Sequence, residues 1–255
     1  MDNLLTYLSN QFGSRLAVSG ETGDLLVWGE RVNNDIRLLG LSYNTSTTSQ
    51  ALQENNHPLL SSGNKIAQQI NLPLVRIIYP ANLNTDPNSA LNIDGERVER
   101  EEASAKIQHK FGTQYKLFGT TKLVNRSTND AFQDWARVNL PQNYIRIDLD
   151  AILHVEDQKP ALIIEVKRST QVSVQRWEPY IADIRNYYIV DLLAKKAGLK
   201  FITLNHAYRD SLVSDESIIG IHNIQKISLE PQVIKSTKLL IKAKGVVTHL
   251  INMSS

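Results

Sequence analysis

Cysteine is absent from the 255 residues. Its absence removes disulfide staples, thiolate zinc sites, iron–sulfur clusters and a cysteine nucleophile together, and it suits a reducing cytoplasm. Glycine and proline are sparse, at 12 and 8 residues, too few for a fibrous or low-complexity chain. Neither sign of charge dominates. The 28 Lys and Arg face 26 Asp and Glu, a formal net charge of +2, so any basic contact with nucleic acid must be local. No apolar run approaches the roughly 20 residues that cross a bilayer. The opening Met1-Asp2-Asn3-Leu4-Leu5 lacks the basic start of a signal peptide. The expectation is a soluble, cytoplasmic protein with no membrane partner. The remainder is ordinary globular usage, 42% apolar and 21% charged, long enough for one large domain or two small ones.

Hydrophobic spacing then divides the chain. Leu4, Leu5, Leu8 and Phe12 recur at helical intervals, and Leu16-Ala17-Val18 and Leu25-Leu26-Val27-Trp28 flank a turn-like Gly20 to Asp24, which predicts a helix followed by a hairpin. Residues 64–70 read as a helix, and Leu74 to Tyr79 as a strand. The stretch 81–95 is rich in Asn, Asp and Pro and is read as a linker or long loop. Residues 1–80 are therefore expected to form an N-terminal α+β module for recognition or dimerisation, and residues 96–255 a second domain. Within the latter, Ala103, Ile107 and Phe111 mark a helix that Gly112 stops.

The most informative segment begins at Ile145. Every odd position from Ile145 to Val155 is apolar, while Arg146, Asp148 and Asp150 open the other face of the predicted strand. After Glu156 to Lys159 a second strand, Ala161-Leu162-Ile163-Ile164, runs into Glu165-Val166-Lys167-Arg168. With a four-residue loop, antiparallel pairing sets Asp150 opposite Glu165 and Asp148 opposite Lys167. Two acids side by side repel unless a cation sits between them. A hard divalent cation such as Mg²⁺ suits them, taking Asp150, Glu165 and the Val166 carbonyl and completing its shell with water and phosphate oxygens. Asp150 is favoured by register, with Asp148 as the second candidate. Lys167 is then placed to orient or deprotonate an attacking water.

An acid on one strand, a hairpin, and then apolar-apolar-Glu165-Val166-Lys167 resembles the PD-(D/E)XK nuclease superfamily, the restriction-endonuclease-like fold. The resemblance implies an α/β fold: a helix, a three-stranded antiparallel meander, a helix and a strand, laid out over about residues 96–206. It places the helix at 96–111 first, where a further acid is expected. Glu99 lies at the edge of the apolar stripe and is favoured over Glu96 and Glu102. The second helix is expected over Arg176 to Lys196, with Gly198 as its stop, followed by a strand over Leu199 to Leu204. No proline precedes either Asp148 or Asp150, a departure from the family's pattern. The implied activity is Mg²⁺-dependent hydrolysis of DNA phosphodiester bonds, with Mn²⁺ substituting. A homodimer of the type II restriction kind would provide two sites for two strands. The alternative reading is a non-catalytic scaffold on the same core.

Several neighbouring features have plainer readings. Arg168, Ser169, Gln171, Gln175 and Arg176 form a polar, basic stretch placed to contact phosphates, or else a solvated connection. Tyr180, Tyr187 and Tyr188 at helical spacing are read as core. Lys235, Lys238, Lys242 and Lys244 are read as an edge strand's lysines facing water. The six histidines show no paired ligand spacing. Ser62-Gly63-Asn64-Lys65 lacks the leading glycine and closing hydroxyl of a phosphate loop, so no nucleotide cofactor is expected.

Overall fold

The computed structural model describes residues 3–20, 23–44, 58–86, 88–112, 131–141, 143–155, 159–170, 172–207 and 212–254. It is a mixed α/β protein with two six-stranded sheets. The chain divides into two units, one made of Met1–Gly20 with Leu149–Ser255 and the other of Glu21–Asp148. The boundary therefore differs from a linker at 81–95. Residues 81–95 lie inside the second unit, where Leu83 is buried and Ala90–Ile93 is a strand. The polar composition that suggested a linker belongs to tight turns, in which Asp94 and Gly95 take positive φ.

The first unit begins with helix α1 (Asn3–Phe12) and strand β1 (Leu16–Val18). After the inserted unit it resumes at β8 (Ala151–His154) and β9 (Pro160–Ser169). Helix α5 (Ile184–Lys196), β10 (Lys200–Ala207), β11 (Ile218–Leu229), β12 (Gln232–Lys242) and helix α6 (Ala243–Ser254) follow. The sheet order is β1-β8-β9-β10-β11-β12; among the described residues of this sheet the only parallel pair is β9 with β10, bridged by α5. Side chains alternate across the sheet. On one face Leu153, Leu162, Ile164, Ile202 and Leu204 pack with Leu4, Leu8 and Phe12 of α1 and with Val246 and Leu250 of α6. On the opposite face Phe201 meets Tyr187 of α5, with ring centroids 6.4 Å apart. The segments 16–18 and 25–28 do not form a hairpin, because they belong to different sheets. The turn signal between them marks the chain leaving one unit for the other. It re-enters alongside, since Ser19 donates its amide to the Asp150 carbonyl at 3.0 Å.

The second unit carries β2 (Asp24–Glu30), β3 (Asp35–Asn44), α2 (Pro58–Ile70), β4 (Leu74–Tyr79), β5 (Ala90–Ile93), β6 (Glu96–Glu99), α3 (Arg100–Lys110), α4 (Ala131–Asn139) and β7 (Tyr144–Leu149). Its sheet order is β6-β5-β4-β3-β2-β7. One face is covered by aromatic packing, in which Phe111 stacks on Tyr144 at 4.0 Å and Phe132 on Trp135 at 5.7 Å. Such pairs add about 0.5–1.5 kcal/mol to the burial of each ring. Ser62 to Lys65 lie in the middle of α2, so the faint phosphate-loop spelling is a helix interior.

Buried leucines of α1 carry the first unit's lower layer. Leu8 is 0% exposed, so Leu8→Ala should destabilise the protein by about 2–5 kcal/mol in chemical denaturation. Val32, 68% exposed, should tolerate serine within about 0.5 kcal/mol.

Candidate active site

Strand β9 changes character halfway along. Leu162, Ile163 and Ile164 are fully buried on both sides, as a central strand requires. Beyond Ile164 come Glu165, Lys167 and Arg168. The change occurs where β8 ends: Ala151 pairs with Ile164, Ile152 with Ile163 and Leu153 with Leu162, and a bulge follows at His154. Over these three pairs the register is the expected one. One step further it sets Asp150 beside Glu165. Asp150 is no longer in a strand, and its side chain takes over the ladder, the Val166 N–H donating to Oδ2 at 2.6 Å. The expected loop residues Glu156, Asp157 and Gln158 lie outside the described residues.

Glu165 and Lys167 share the α5 face of β9, two residues apart. The Lys167 Nζ donates to Glu165 Oε1 at 2.7 Å, and the two side chains are 29% and 13% exposed. The ammonium stands 5.9 Å from the centre of the Tyr187 ring. Burial alone would lower the Lys167 pKa, but Glu165, Tyr187 and Asp150 together outweigh it and raise the pKa above the ordinary value. Lys167 is therefore a cation and donor rather than a free base. Burial raises the Tyr187 phenol well above its usual range, and the ammonium only partly opposes this. Tyr187 is a core residue, as its spacing suggested, and also the floor under Lys167.

Two expected acids fall elsewhere. Asp148 does not stand opposite Lys167. The apolar alternation from Ile145 to Val155 is not one strand: it breaks at Asp150 into β7 and β8, which belong to different sheets. Asp148 accepts from Gln133 Nε2 at 2.6 Å and faces Arg146 at 3.6 Å, both within the second unit. Glu99 also belongs to the second unit. It precedes α3, is 56% exposed and pairs with Arg97 at 3.2 Å. Glu96 pairs with Lys106 at 2.6 Å, and Glu102 lies in the first turn of α3. The helix preceding β1, β8 and β9 in their own unit is α1, whose Asn3–Phe12 sequence holds no acid. Helical spacing predicted a helix over 96–111; Arg100–Lys110 is helical, whereas Glu96–Glu99 is strand β6, and the spacing does not reveal the sheet on which the helix packs.

The expected phosphate-contacting residues divide as well. Arg168, Gln175 and Arg176 are exposed, and Gln171 lies outside the described residues. Ser169 is buried, and its hydroxyl accepts from Asn205 Nδ2 at 3.0 Å, which withdraws it from any surface contact. Residues 176–180 are not helical. Pro179 bars the α conformation at Glu178, and α5 begins only at Ile184 after a 3₁₀ turn, Ile181–Asp183.

A polar row, not anticipated from the sequence, crosses the α5 face of this otherwise apolar sheet. Glu165 is in register with Thr203, Thr203 with His222, and His222 with Lys238. Beside it, Asn205 is fully buried and in register with Lys167. Its Nδ2 also donates to the Val174 carbonyl at 3.4 Å, so its Oδ1 is left to accept from His222 Nε2 at 3.2 Å. That arrangement assigns the Nε2–H tautomer to His222, leaving Nδ1 to accept from the Ser236 hydroxyl at 3.5 Å. The edge of Trp177 closes over the imidazole at 5.0 Å. Burial holds His222 down to about 4, with Glu178 opposing and Lys238 reinforcing the shift. The apolar run shows only that residues 199–204 form a strand. Two polar residues at alternate buried positions, Thr203 and Asn205, were the available signal.

Two carboxylates and an ammonium suit phosphate chemistry. Mg²⁺ is commonly held by one or two carboxylates with water and substrate phosphate completing an octahedron. Asp150 and Glu165 are carboxylates of that kind, and Val166, half-buried and next to Glu165 on β9, donates its amide to Asp150. Among the described residues no cluster of three or more His, Asp or Glu that could hold a metal ion is present. No helix of the described residues is long and apolar enough to cross a membrane. No protein family, characterised protein or solved structure matches the chain.

The polar row makes two predictions. A Cβ at Gly220 would stand 2.0 Å from Asn205 Oδ1. Gly220→Ala should therefore displace that amide and destabilise the protein by about 1–3 kcal/mol in urea unfolding. For His222, the unfolded imidazole takes up its proton below about 6.5 while the folded one stays neutral to about 4. Stability should be flat above that window, fall as the pH drops through it by up to about 3 kcal/mol, and level off below. His222→Gln should flatten the slope, as read by denaturation at pH 7.5 and 4.5.

Proposed function

We propose that this chain is a metal-dependent nuclease of the restriction-endonuclease-like kind, hydrolysing DNA phosphodiester bonds at Asp150, Glu165 and Lys167. The observation that carries the reading is the gathering of these three groups at the point where β9 passes the end of β8. Asp150 is tied to the Val166 amide, and Lys167 is held on Glu165 at 2.7 Å. The order of elements around them also supports it. A helix, three antiparallel strands, a helix and a parallel strand are built from α1, β1, β8, β9, α5 and β10, rather than from residues 96–206.

In this reading Asp150 and Glu165 would hold Mg²⁺, or Mn²⁺ in its place, and the Val166 carbonyl would be a further ligand. When bound, the ion supplies charge to the scissile phosphate and acidity to a coordinated water. Lys167, kept protonated by its surroundings, donates to the water or a phosphate oxygen and so orients the attack. Tyr187 keeps the ammonium from swinging away. The Asp150 bond to the Val166 amide fixes the carboxylate relative to Glu165. Arg168, Gln175 and Arg176 contact flanking phosphates without reading sequence. A second copy of the chain would supply the second cut in duplex DNA.

Purified protein should nick or linearise supercoiled plasmid in Mg²⁺ or Mn²⁺ and not in EDTA. Glu165→Gln and Lys167→Ala should each lower the rate by at least about 100-fold while the protein stays folded by circular dichroism, with a lower unfolding midpoint for Lys167→Ala because Glu165 loses its partner. Wild-type cleavage by either variant would refute this mechanism. A folded wild-type protein that binds DNA without cutting it would favour the non-catalytic scaffold, and discrete bands rather than a smear would indicate restriction-type specificity.

A further inference from the structure

Lys238 sits on the edge strand β12, where lysines ordinarily face water, yet its side chain is only 17% exposed. Its ammonium has three protons to give, and three acceptors take them. These are the Gln175 carbonyl at 2.9 Å, the Trp177 carbonyl at 2.6 Å and Glu178 Oε1 at 3.3 Å. The cation is saturated and has nothing left for a phosphate. All three acceptors lie in the connection between β9, which carries Glu165 and Lys167, and α5, which carries Tyr187. That connection has little regular structure, a single turn in which Arg176 and Trp177 donate to the Ser173 carbonyl at 2.9 and 3.0 Å. It is held from beneath at two more places, by Asn205 on Val174 and by the burial of Trp177 against His222.

We infer that Lys238 is a positioning residue, clamping the 174–178 backbone so that Gln175 and Arg176 are presented to a nucleic-acid phosphate. This rests on the proposed nuclease function. It assigns a role to a lysine three strands away from Glu165, and it explains why that lysine turns inward among exposed neighbours. Removing the clamp loosens the loop without touching Asp150, Glu165 or Lys167, so the loss falls on substrate binding. Because the clamp acts only through the loop's phosphate contacts, removing the clamp and Arg176 together is no worse than removing the clamp.

The test uses the full chain with linear duplex DNA. Lys238→Met should raise KM about tenfold with kcat within about twofold, and lower the slope of log affinity against log salt as Arg176→Ala does. Hydrogen exchange should quicken over 172–180 and stay unchanged in β9. The Lys238→Met, Arg176→Ala double variant should match the weaker-binding single variant, the non-additivity expected of residues acting through one contact. Lys238→Gln, which keeps two N–H donors for the carbonyls, should recover most of the affinity, and it keeps the comparison decisive if Lys238→Met does not fold. Faster exchange with an unchanged KM, or full additivity in the double variant, would overturn the positioning role. A wild-type chain that neither binds nor cleaves DNA would overturn the nuclease reading itself, and that failure appears without any substitution.

Discussion

A charged or amide group carried into the middle of an apolar sheet must find a partner there or be expelled, and this constraint organises the first unit. Glu165 and Lys167 neutralise each other. Asn205 satisfies its amide with Ser169, Val174 and His222, and Lys238 places all three protons on the loop above. Each polar side chain thereby fixes a neighbouring segment as well as itself. The hydrogen bonds and ion pairs of this face add to the register that the buried apolar face already specifies. Gly220 belongs to the same scheme, because the space a side chain would fill there is where the Asn205 amide lies.

Part of the local strand pairing was legible in the sequence and much of its setting was not. The apolar run ending in Glu165-Val166-Lys167 and the antiparallel register through Ala151 to Leu153 follow from period-two alternation and a short loop. Alternation cannot reveal that Tyr144–Leu149 and Ala151–His154 answer to different sheets. The inside-outside pattern stays unbroken through Asp150 while the hydrogen-bonding partner changes. Asp148 was misplaced for that reason. Helical spacing likewise located Arg100–Lys110 as a helix, but amphipathicity carries no address. The acids near it, Glu99 among them, belong to another core.

The division of the chain follows the same logic. A turn-rich stretch such as 81–95 has the composition of a linker, yet Leu83, Leu91 and Ile93 are buried, and they anchor it in a sheet. The actual junctions lie after Gly20 and between Asp148 and Leu149. At the first the turn-like Gly20 to Asp24 has the spelling of a hairpin, and at the second the apolar alternation runs on unbroken, so neither spells a boundary. Side-by-side entry and exit is what lets a unit be inserted without disturbing the sheet that hosts it.

That arrangement also dictates an order of assembly. Strand β1 pairs with β8, and Ser19 bonds to residues 130 positions away. Emerging from a ribosome, α1 and β1 have no sheet to join until the whole intervening segment and β8 have been made. Closing so long a loop is entropically slow if the segment is loose, and much easier once Glu21–Asp148 has folded and drawn its own ends together. The inserted unit thus acts as a folding staple for its host: its collapse decides when Leu4, Leu8 and Phe12 find their places, and until then those side chains are an apolar helix in search of cover.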